Sequence, residues 1–243
     1  MISVNVLAID TSAKVCSVAV ICEEKVLSSF SVNQGLTHSQ TLMPMIEDSL
    51  KNSNMNIKEI DVFAVSQGPG SFTGLRIGIA AIKGLAYALD KPCIGVSTLE
   101  ALAYNMINSN GIICAAMDAR CKQVYTALFE SDGKNLTRLT EDMAITIEQL
   151  EEILKKYNKN IFLVGDGASL CYNNINNDNF ILVDNINRQQ SAQSVGYIAL
   201  KALALQKQTD AGSIMPVYFR LPQAQRELLK KEEKMRNENS SRM

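Results

Sequence analysis

Short apolar runs of strand length, each closed by a polar bend, alternate along this chain with longer stretches whose apolar positions recur at helical spacing. Residues 4–9 end at Asp10-Thr11-Ser12, and residues 15–21 and 26–32 follow across a Glu23-Glu24-Lys25 turn. That composition predicts a three-strand meander with an acid and two hydroxyls at its first bend. Gly35-Leu36-Thr37-His38-Ser39 opens a helix to about residue 50, with Thr37 or Ser39 as its cap. Pro44 falls early in it. An interior proline forfeits a hydrogen bond, so the helix either starts nearer Gln40 or bends.

The most distinctive pattern lies in residues 62–89. An apolar run over 62–65 stops at Gly68-Pro69-Gly70, and from Thr73 a helical period takes over, which reads as strand, tight loop, helix. At about 100° per residue, Gly74, Gly78, Ala81, Leu85 and Ala88 form one stripe. Leu75, Ile79, Ile82, Ala86 and Leu89 form a second, and only Arg76, Lys83, Tyr87 and Asp90 look made for water. A helix covering its own sheet needs one apolar stripe, so the stripe of small residues predicts a second helix at close range. Gly78 and Gly84 would each cost about 1 kcal/mol relative to alanine in a helix interior, and close backbone packing would offset that.

A short strand over 93–96 and a helix over 98–107, capped by Ser97 or Thr98, complete the first unit. After the polar break at residues 108–111 a second meander begins, 112–117 and 123–129, joined through Asp118-Ala119-Arg120-Cys121. A helix over 148–157, a strand over 161–164, a Gly165-Asp166-Gly167 turn, an Asn-rich loop over 173–179, a strand over 180–183 and a helix over 194–206 follow. The expected fold is α/β with mixed sheets in two lobes, 1–108 and 109–213. A C-terminal segment, 214–243, returns to the first lobe and ends in a solvated helical tail from Gln223. Both lobes open with a meander and then alternate with helices, which suggests duplication without any residue-level repeat.

Composition narrows the functional classes. Lys and Arg number 24 against 25 Asp and Glu, so no overall positive field draws the chain to nucleic acid or anionic membrane. The first nine residues lack a cationic start and a cleavage site. The longest apolar run, 77–89, is interrupted by Lys83 and falls short of the roughly 18 residues a bilayer span needs. A cytoplasmic protein with no membrane association is expected. None of the six cysteines forms a Cys-x-x-Cys pair and four lie in or beside apolar runs, which reads as buried reduced thiols ahead of disulfides or a metal site.

The glycine loop is not a Walker A motif, because Gly70-Ser71-Phe72-Thr73-Gly74 has three intervening residues and no following lysine. It also fails the dinucleotide pattern G-x-G-x-x-G. A glycine loop opening a helix still offers free N–H groups and a positive dipole end, so Gly68, Gly70 and Ser71 are candidates for a phosphate, or for a loop kept short for packing. Asp10, Thr11 and Ser12 could hold a phosphate or a hydrated Mg²⁺, or could be ordinary hairpin residues. His38 is the only histidine, which removes His-His metal sites and excludes a catalytic dyad or triad with a second histidine; beside a helix cap it reads as structural. Asp118 and Arg120 could pair with each other or face a substrate, and Asp166 could face a cleft or merely make a turn.

Taken together, Asp10-Thr11-Ser12, His38-Ser39, the run from Gly68 through Gly78, Met117-Asp118-Ala119-Arg120 and Pro216-Val217-Tyr218-Phe219-Arg220 closely resemble the TsaB (YeaZ) family. The glycine stretch is the specific part of the match, which is dense through the second meander and scattered afterwards. The resemblance implies an actin/hexokinase-like (ASKHA) fold. It also implies a non-catalytic role in forming threonylcarbamoyladenosine beside the anticodon of tRNA, as accessory subunit of a metal-dependent catalytic subunit, TsaD. Where that subunit carries H-M-E-G-H, this chain has Thr98-Leu99-Glu100-Ala101-Leu102, with both imidazoles missing. A threonine and a leucine cannot hold a transition metal, so no metal site and no catalytic residue are expected here. A metallopeptidase reading, suggested by older naming of the relatives, fails for the same want of ligands.

The same resemblance implies pairing with the catalytic subunit, and self-association when alone, through two first-lobe helices. The residues it points to are His38, Leu42 and Met45 on one, and Thr73, Gly74, Arg76, Ile77, Gly78, Ala81, Leu85 and Ala88 on the other; Asp118, Arg120, Tyr218 and Arg220 are further family-motif positions. A TsaE-like ATPase docking at the joint, contact with tRNA only through the complex, and ATP or ADP with Mg at the subunit interface complete the implied assembly, with no tightly bound cofactor. The alternative is a nucleotide-binding ATPase or kinase-like enzyme of the same fold, with Asp10 anchoring Mg²⁺. Against it, the first turn is D-T-S, without the glycine usual in such phosphate loops.

Overall fold

The computed structural model describes residues 3–23 and 25–220. Among these, the first sheet holds β1 (Asn5–Asp10), β2 (Cys16–Cys22), β3 (Lys25–Val32), β4 (Val62–Gly68) and β5 (Cys93–Ser97), in the order β3-β2-β1-β4-β5. The meander pairs antiparallel, while β1–β4 and β4–β5 are parallel. Helix α1 (His38–Asn52) connects β3 towards β4, α2 (Phe72–Leu89) connects β4 to β5, and α3 (Thr98–Tyr104) leaves β5.

The second sheet holds β6 (Asn110–Asp118), β7 (Gln123–Asp132), β8 (Leu136–Arg138), β10 (Ile161–Val164) and β11 (Phe180–Leu182), with β9 (Met143–Thr146) pairing β7 off the main path. Helices α4 (Ile147–Leu154), α5 (Ala168–Asn174), α6 (Asn185–Arg188) and α7 (Ala192–Ala204) belong to this half of the chain. Read from β8, the order is β8-β7-β6-β10-β11, with β6–β7 antiparallel and β6–β10 and β10–β11 parallel. This repeats the first sheet strand for strand, and α2 and α5 each join the last two strands of their sheets. The duplication that the residues do not display is therefore present in topology. This is the two-lobed α/β arrangement of the actin/hexokinase-like fold.

Helices on both faces explain why β1 is apolar throughout instead of alternating. Leu7, Ile9, Val18, Val20, Phe63 and Val65 face α1 and α2 in one core layer, meeting Leu42, Ile46, Ile79 and Ile82. The opposite face, Val6, Ala8, Ala19, Ile21 and Ala64, meets Ala192, Val195 and Ala199 of α7. Helix α7 thus comes from the second half of the chain and packs on the first sheet, so the return to the first lobe begins before residue 214. Between the sheets lies α3: Ala101 belongs to the core layer shared with α7, while Leu99, Leu102 and Ala103 pack with Ile113, Ala115 and Phe129 of the second sheet.

Several boundaries depart from the sequence reading. Helix α1 begins at His38 and runs through Pro44, so the proline is interior and its neighbours carry the helix past the missing N–H. The strand at 161–164 is found where expected, whereas β8, β9, α5 and α6 are additions and α3 ends earlier than its apolar pattern suggested. Helix α2 is also, at 18 residues, long and apolar enough by composition to cross a bilayer. Here its Leu75, Ile79, Ile82 and Ala86 are spent on the sheet beneath it. The tail from Gln223 lies outside the described residues.

Candidate functional site

The first hairpin turn is tied together by Asp10. Its Oδ1 accepts from Ser12 N at 2.8 Å and Ser12 Oγ at 2.7 Å, and its Oδ2 accepts from Ser66 Oγ on β4 at 2.5 Å. Asp10 is fully buried, and burial raises its carboxyl above the usual 3.8, although the serine hydrogen bonds and His38 pull the other way. Both oxygens of the Mg²⁺ ligand considered from sequence thus accept hydrogen bonds within the protein. Thr11, also fully buried, donates from Oγ1 to Gly74 O at 2.8 Å. His38 joins the same knot: its Nε2 donates to Ala13 O at 2.7 Å, which leaves Nδ1 as an acceptor that is buried without a partner.

The glycine loop owes its residues to this knot. Ser71 N donates to Ser12 O at 2.6 Å, and Ser71 caps α2 through Gly74 N. A Cβ on Gly70 would strike Ser12 O, one on Gly74 would strike Thr11 O, and one on Gly78 would strike Thr11 Oγ1. Gly74 and Gly78 therefore permit close approach to the chain's own hairpin. Gly84 is different: it is exposed, and nothing lies within 4 Å of where its Cβ would be.

Between the lobes lies a cleft of about 650 Å³, of a size suited to a small organic ligand. One wall comes from Ser12, Ala13 and Lys14 of the first hairpin, and from Pro69, Gly70 and Ser71 of the loop before α2 with Phe72 and Thr73 of its first turn. The other comes from the corresponding hairpin of the second sheet, Met117, Asp118, Ala119 and Arg120, and from Asp166 in the loop before α5. The two halves even use the same device, since a Cβ on Gly167 would strike Met117 and Asp118 just as one on Gly70 would strike Ser12. Asp166 is exposed on the cleft wall yet crowded by protein at longer range. That crowding, with the Asp118 charge beside it, raises its pKa above 3.8. Of the sequence candidates, Ser12, Gly70, Ser71, Asp118 and Arg120 reach this cleft, whereas Asp10, Thr11 and Gly68 do not line it.

A chain segment seals the cleft's edge. Val217 N donates to Gln67 O at 2.7 Å, and Val217 O lies against Gly68, whose φ of +128° and lack of a side chain make room for it. Tyr218 stacks on Phe72 with ring centroids 4.8 Å apart and accepts from Arg76 Nε at 2.9 Å, while the Arg76 guanidinium lies 3.9 Å from the Phe72 ring centroid. Arg220 donates to Ala119 O across the cleft. Tyr218 and Arg220, marked in the sequence only as motif residues, therefore contribute to the cleft's rim.

The helical face expected to meet a partner is rotated from its sequence assignment. Leu42, Met45, Gly74 and Gly78 are buried in the chain's own core and cannot present themselves to another protein. Ile77, Ala81 and Leu85 are half-buried, as is His38. What α2 exposes is Thr73, Arg76, Ala80, Gly84, Tyr87 and Ala88; α1 exposes Met43, and Leu36 lies exposed just before it. The error is one of about a third of a turn: both stripes contain small residues, and periodicity alone does not show which one rests on the sheet.

At the position of the missing imidazoles, Thr98, Leu99, Ala101 and Leu102 are all buried. Glu100 is paired with Arg138 at 3.1 Å, and Arg138 also holds Asp142 at 2.6 Å while Ser97 Oγ donates to Asp142 at 2.7 Å. The donor set does not fit a transition metal, and its one carboxylate serves an ion pair between the lobes. The network is not legible in the sequence because Glu100 lies 38 residues from Arg138 and Ser97 lies 45 from Asp142. The six cysteines are free. Burial pushes the Cys93 thiol up to about 11 and the Cys114 thiol up to about 12, as expected of inert core thiols.

Comparison with known proteins agrees with this architecture. The family model for tRNA N6-adenosine threonylcarbamoyltransferase, TsaD, matches residues 25–238. The tRNA threonylcarbamoyladenosine biosynthesis protein TsaB of Escherichia coli is 32% identical over 219 residues, 89% of this chain and 94% of that protein. TsaB of Bacillus subtilis is 34% identical over 166 residues, 68% of this chain and 72% of that protein. The solved structure of YeaZ from Pseudomonas aeruginosa superposes with a TM-score of 0.77 at 27% identity, covering 88% of this chain and 99% of that one. A second solved structure, described as similar to peptidase YeaZ from the same organism, gives a TM-score of 0.79. With the Escherichia coli relative 32% identical over 94% of its length, and the same two-lobed fold, the chain belongs to the TsaB (YeaZ) family of tRNA threonylcarbamoyladenosine biosynthesis proteins.

Proposed function

We propose that this chain is a non-catalytic subunit that binds and activates a TsaD-like catalytic subunit for threonylcarbamoyl transfer to the adenosine beside the tRNA anticodon. The observation that carries the reading is the fate of residues 98–102. Where the catalytic relative has metal-binding imidazoles, this chain has side chains packed between its two sheets and a glutamate committed to Arg138. The subunit acts through the outer face of α2, where Ala80, Gly84 and Ala88 leave a low surface on which a partner helix can lie close, flanked by Thr73 and Ile77 and bordered by α1. The same face accounts for a homodimer when the chain is alone. A TsaE-like ATPase joins at the pair, and tRNA is engaged by the complex.

Gly84 offers the cleanest test. Gly84→Leu places a bulky group on the surface without touching the protein's own core, since nothing lies within 4 Å of the added Cβ. Co-purification with the catalytic subunit is expected to fall at least tenfold for Gly84→Leu and to persist for Gly84→Ala. Undiminished co-purification of the leucine variant removes α2 as the interface.

A second reading is favoured by the cleft. Ser71 and the N-terminus of α2, with Lys14 on the same wall and Arg120 on the other, could receive a nucleotide phosphate, and the fold supports ATP-dependent enzymes elsewhere. Titration calorimetry of the lone chain with Mg²⁺-ATP separates the two: tight binding with turnover contradicts a purely accessory role, and heat no greater than dilution supports it.

A further inference from the structure

The C-terminal segment has a path that the accessory role does not require. Thr209 bridges to Cys93 at the far end of α2, with N–O distances of 2.8 and 2.9 Å. Ala211 and Ile214 bury into the first core, and Lys83 Nζ donates to Gly212 O at 2.9 Å and Ile214 O at 3.3 Å. Val217 and Tyr218 then fasten beside the N-terminus of the same helix. The segment thus runs along the whole length of α2 in the opposite direction, held at every turn by the first lobe. Arg220 reaches beyond the first lobe, donating to Ala119 O and, at 3.5 Å, lying beside Arg120 O in the hairpin turn of the second lobe.

The turn it meets is unusual. Arg120, Cys121 and Lys122 have φ values of +63°, +54° and +54°, three successive non-glycine residues in the left-handed region, where side chains crowd the following carbonyl. Among the described residues, Asp118 Oδ1 accepts from Arg120 N at 2.7 Å, Gln123 N donates to Arg120 O at 3.2 Å, Ala119 N donates to Gln123 O at 3.0 Å, and Ile147 N donates to Lys122 O at 3.2 Å. A guanidinium donating to a carbonyl of this turn adds a charge-assisted hydrogen bond at the place where the backbone most needs one. Next to this contact the segment is poorly covered, with Met215 64%, Val217 39%, Tyr218 38% and Phe219 37% exposed. It is docked firmly at its start and lightly at its end.

We infer that residues 216–220 form a latch across the interlobe cleft, in which Arg220 is the catch that holds the left-handed turn and thereby places Asp118 and Arg120 on the cleft wall. Released, the turn relaxes and Asp118 and Arg120 leave their places on the wall; engaged, the cleft keeps the shape seen here. The latch is a property of this chain alone and does not depend on which partner or ligand the cleft serves.

Hydrogen–deuterium exchange on the full chain tests it. In Arg220→Gln, amides of residues 119–122 should exchange at least tenfold faster than in the wild type, while β6, β10 and the Val217 amide keep their protection. Tyr218→Ala, which loosens the segment before the catch, should accelerate the same amides, and Arg220→Lys, which keeps the charge but not the planar guanidinium, should fall between. Because the chain has no tryptophan, Phe219→Trp supplies a single emission reporter, expected to shift to longer wavelength when Arg220→Gln is added. Wild-type exchange at 119–122 in both Arg220→Gln and Tyr218→Ala would overturn the latch. So would acceleration spread equally over β6 and β10, which would mark general destabilisation instead of a released turn.

Discussion

Gly78 and Gly84 sit on one helix and do opposite jobs, and the difference is measurable. Gly78→Ala drives a methyl into Thr11 Oγ1, whose hydrogen bond to Gly74 O fixes the first hairpin. A loss of about 1–3 kcal/mol is expected, as for other overpacked core sites. Gly84→Ala meets nothing and gains helix propensity, so a rise of about 1 kcal/mol is expected. Urea unfolding of both variants checks the pair, and equal shifts would contradict the assignment of Gly78 to the core. Asp10 supplies a pH test. Its folded pKa is raised above 3.8, so between 3.8 and the raised value the folded state binds more protons than the unfolded one. Its contribution is therefore greatest at low pH and declines as pH rises through the folded pKa. Relative to Asp10→Asn, the wild type should gain stability as pH is lowered from 7 towards 4; a constant difference would contradict it. The D-T-S turn was legible in the sequence. The direction of its carboxylate was not, because the partner that buries it, Ser66, lies 56 residues away.

At the scale of elements, α2 was legible as a helix with two apolar stripes, and the demand for a close neighbour on the small-residue side was correct in kind. The neighbour of Gly74 and Gly78 is the chain's own hairpin, not a second helix; a periodicity of 3.6 says which residues share a face and not what covers it. The proposed interface therefore moves to the exposed face. In sedimentation velocity, Gly84→Leu should shift the lone chain towards monomer at concentrations where Gly84→Ala still dimerises. The β4–loop–α2 unit and the strand at 161–164 were read directly because long or strongly apolar segments carry their own signal. The three-residue strand Leu136–Arg138 and the helix Ala168–Asn174 are too short or too polar to show a period. They form because partners elsewhere, β7 and β10, complete them.

For the whole molecule, the order of strands is the same in both halves although their residues share no visible repeat. Topology constrains which positions are buried but not which apolar residue fills each one, so duplication survives in the fold after it has faded from the sequence. The halves are coupled by α3 between the sheets, by α7 returning to the first sheet, by the Arg138 network and by Arg220. Their equivalent hairpins and loops face each other across the cleft. Within that frame, Thr98, Leu99, Ala101 and Leu102 are packing residues, and Ala80, Gly84 and Ala88 of α2 face outward. The most direct test is reconstitution of threonylcarbamoyl transfer to tRNA from the catalytic subunit, with this chain added, omitted, or replaced by Gly84→Leu. Modification is expected only with the wild-type chain, and to fall at least tenfold with Gly84→Leu. Full modification without this chain, or transfer by this chain in the absence of the catalytic subunit, would contradict its role as a non-catalytic activator.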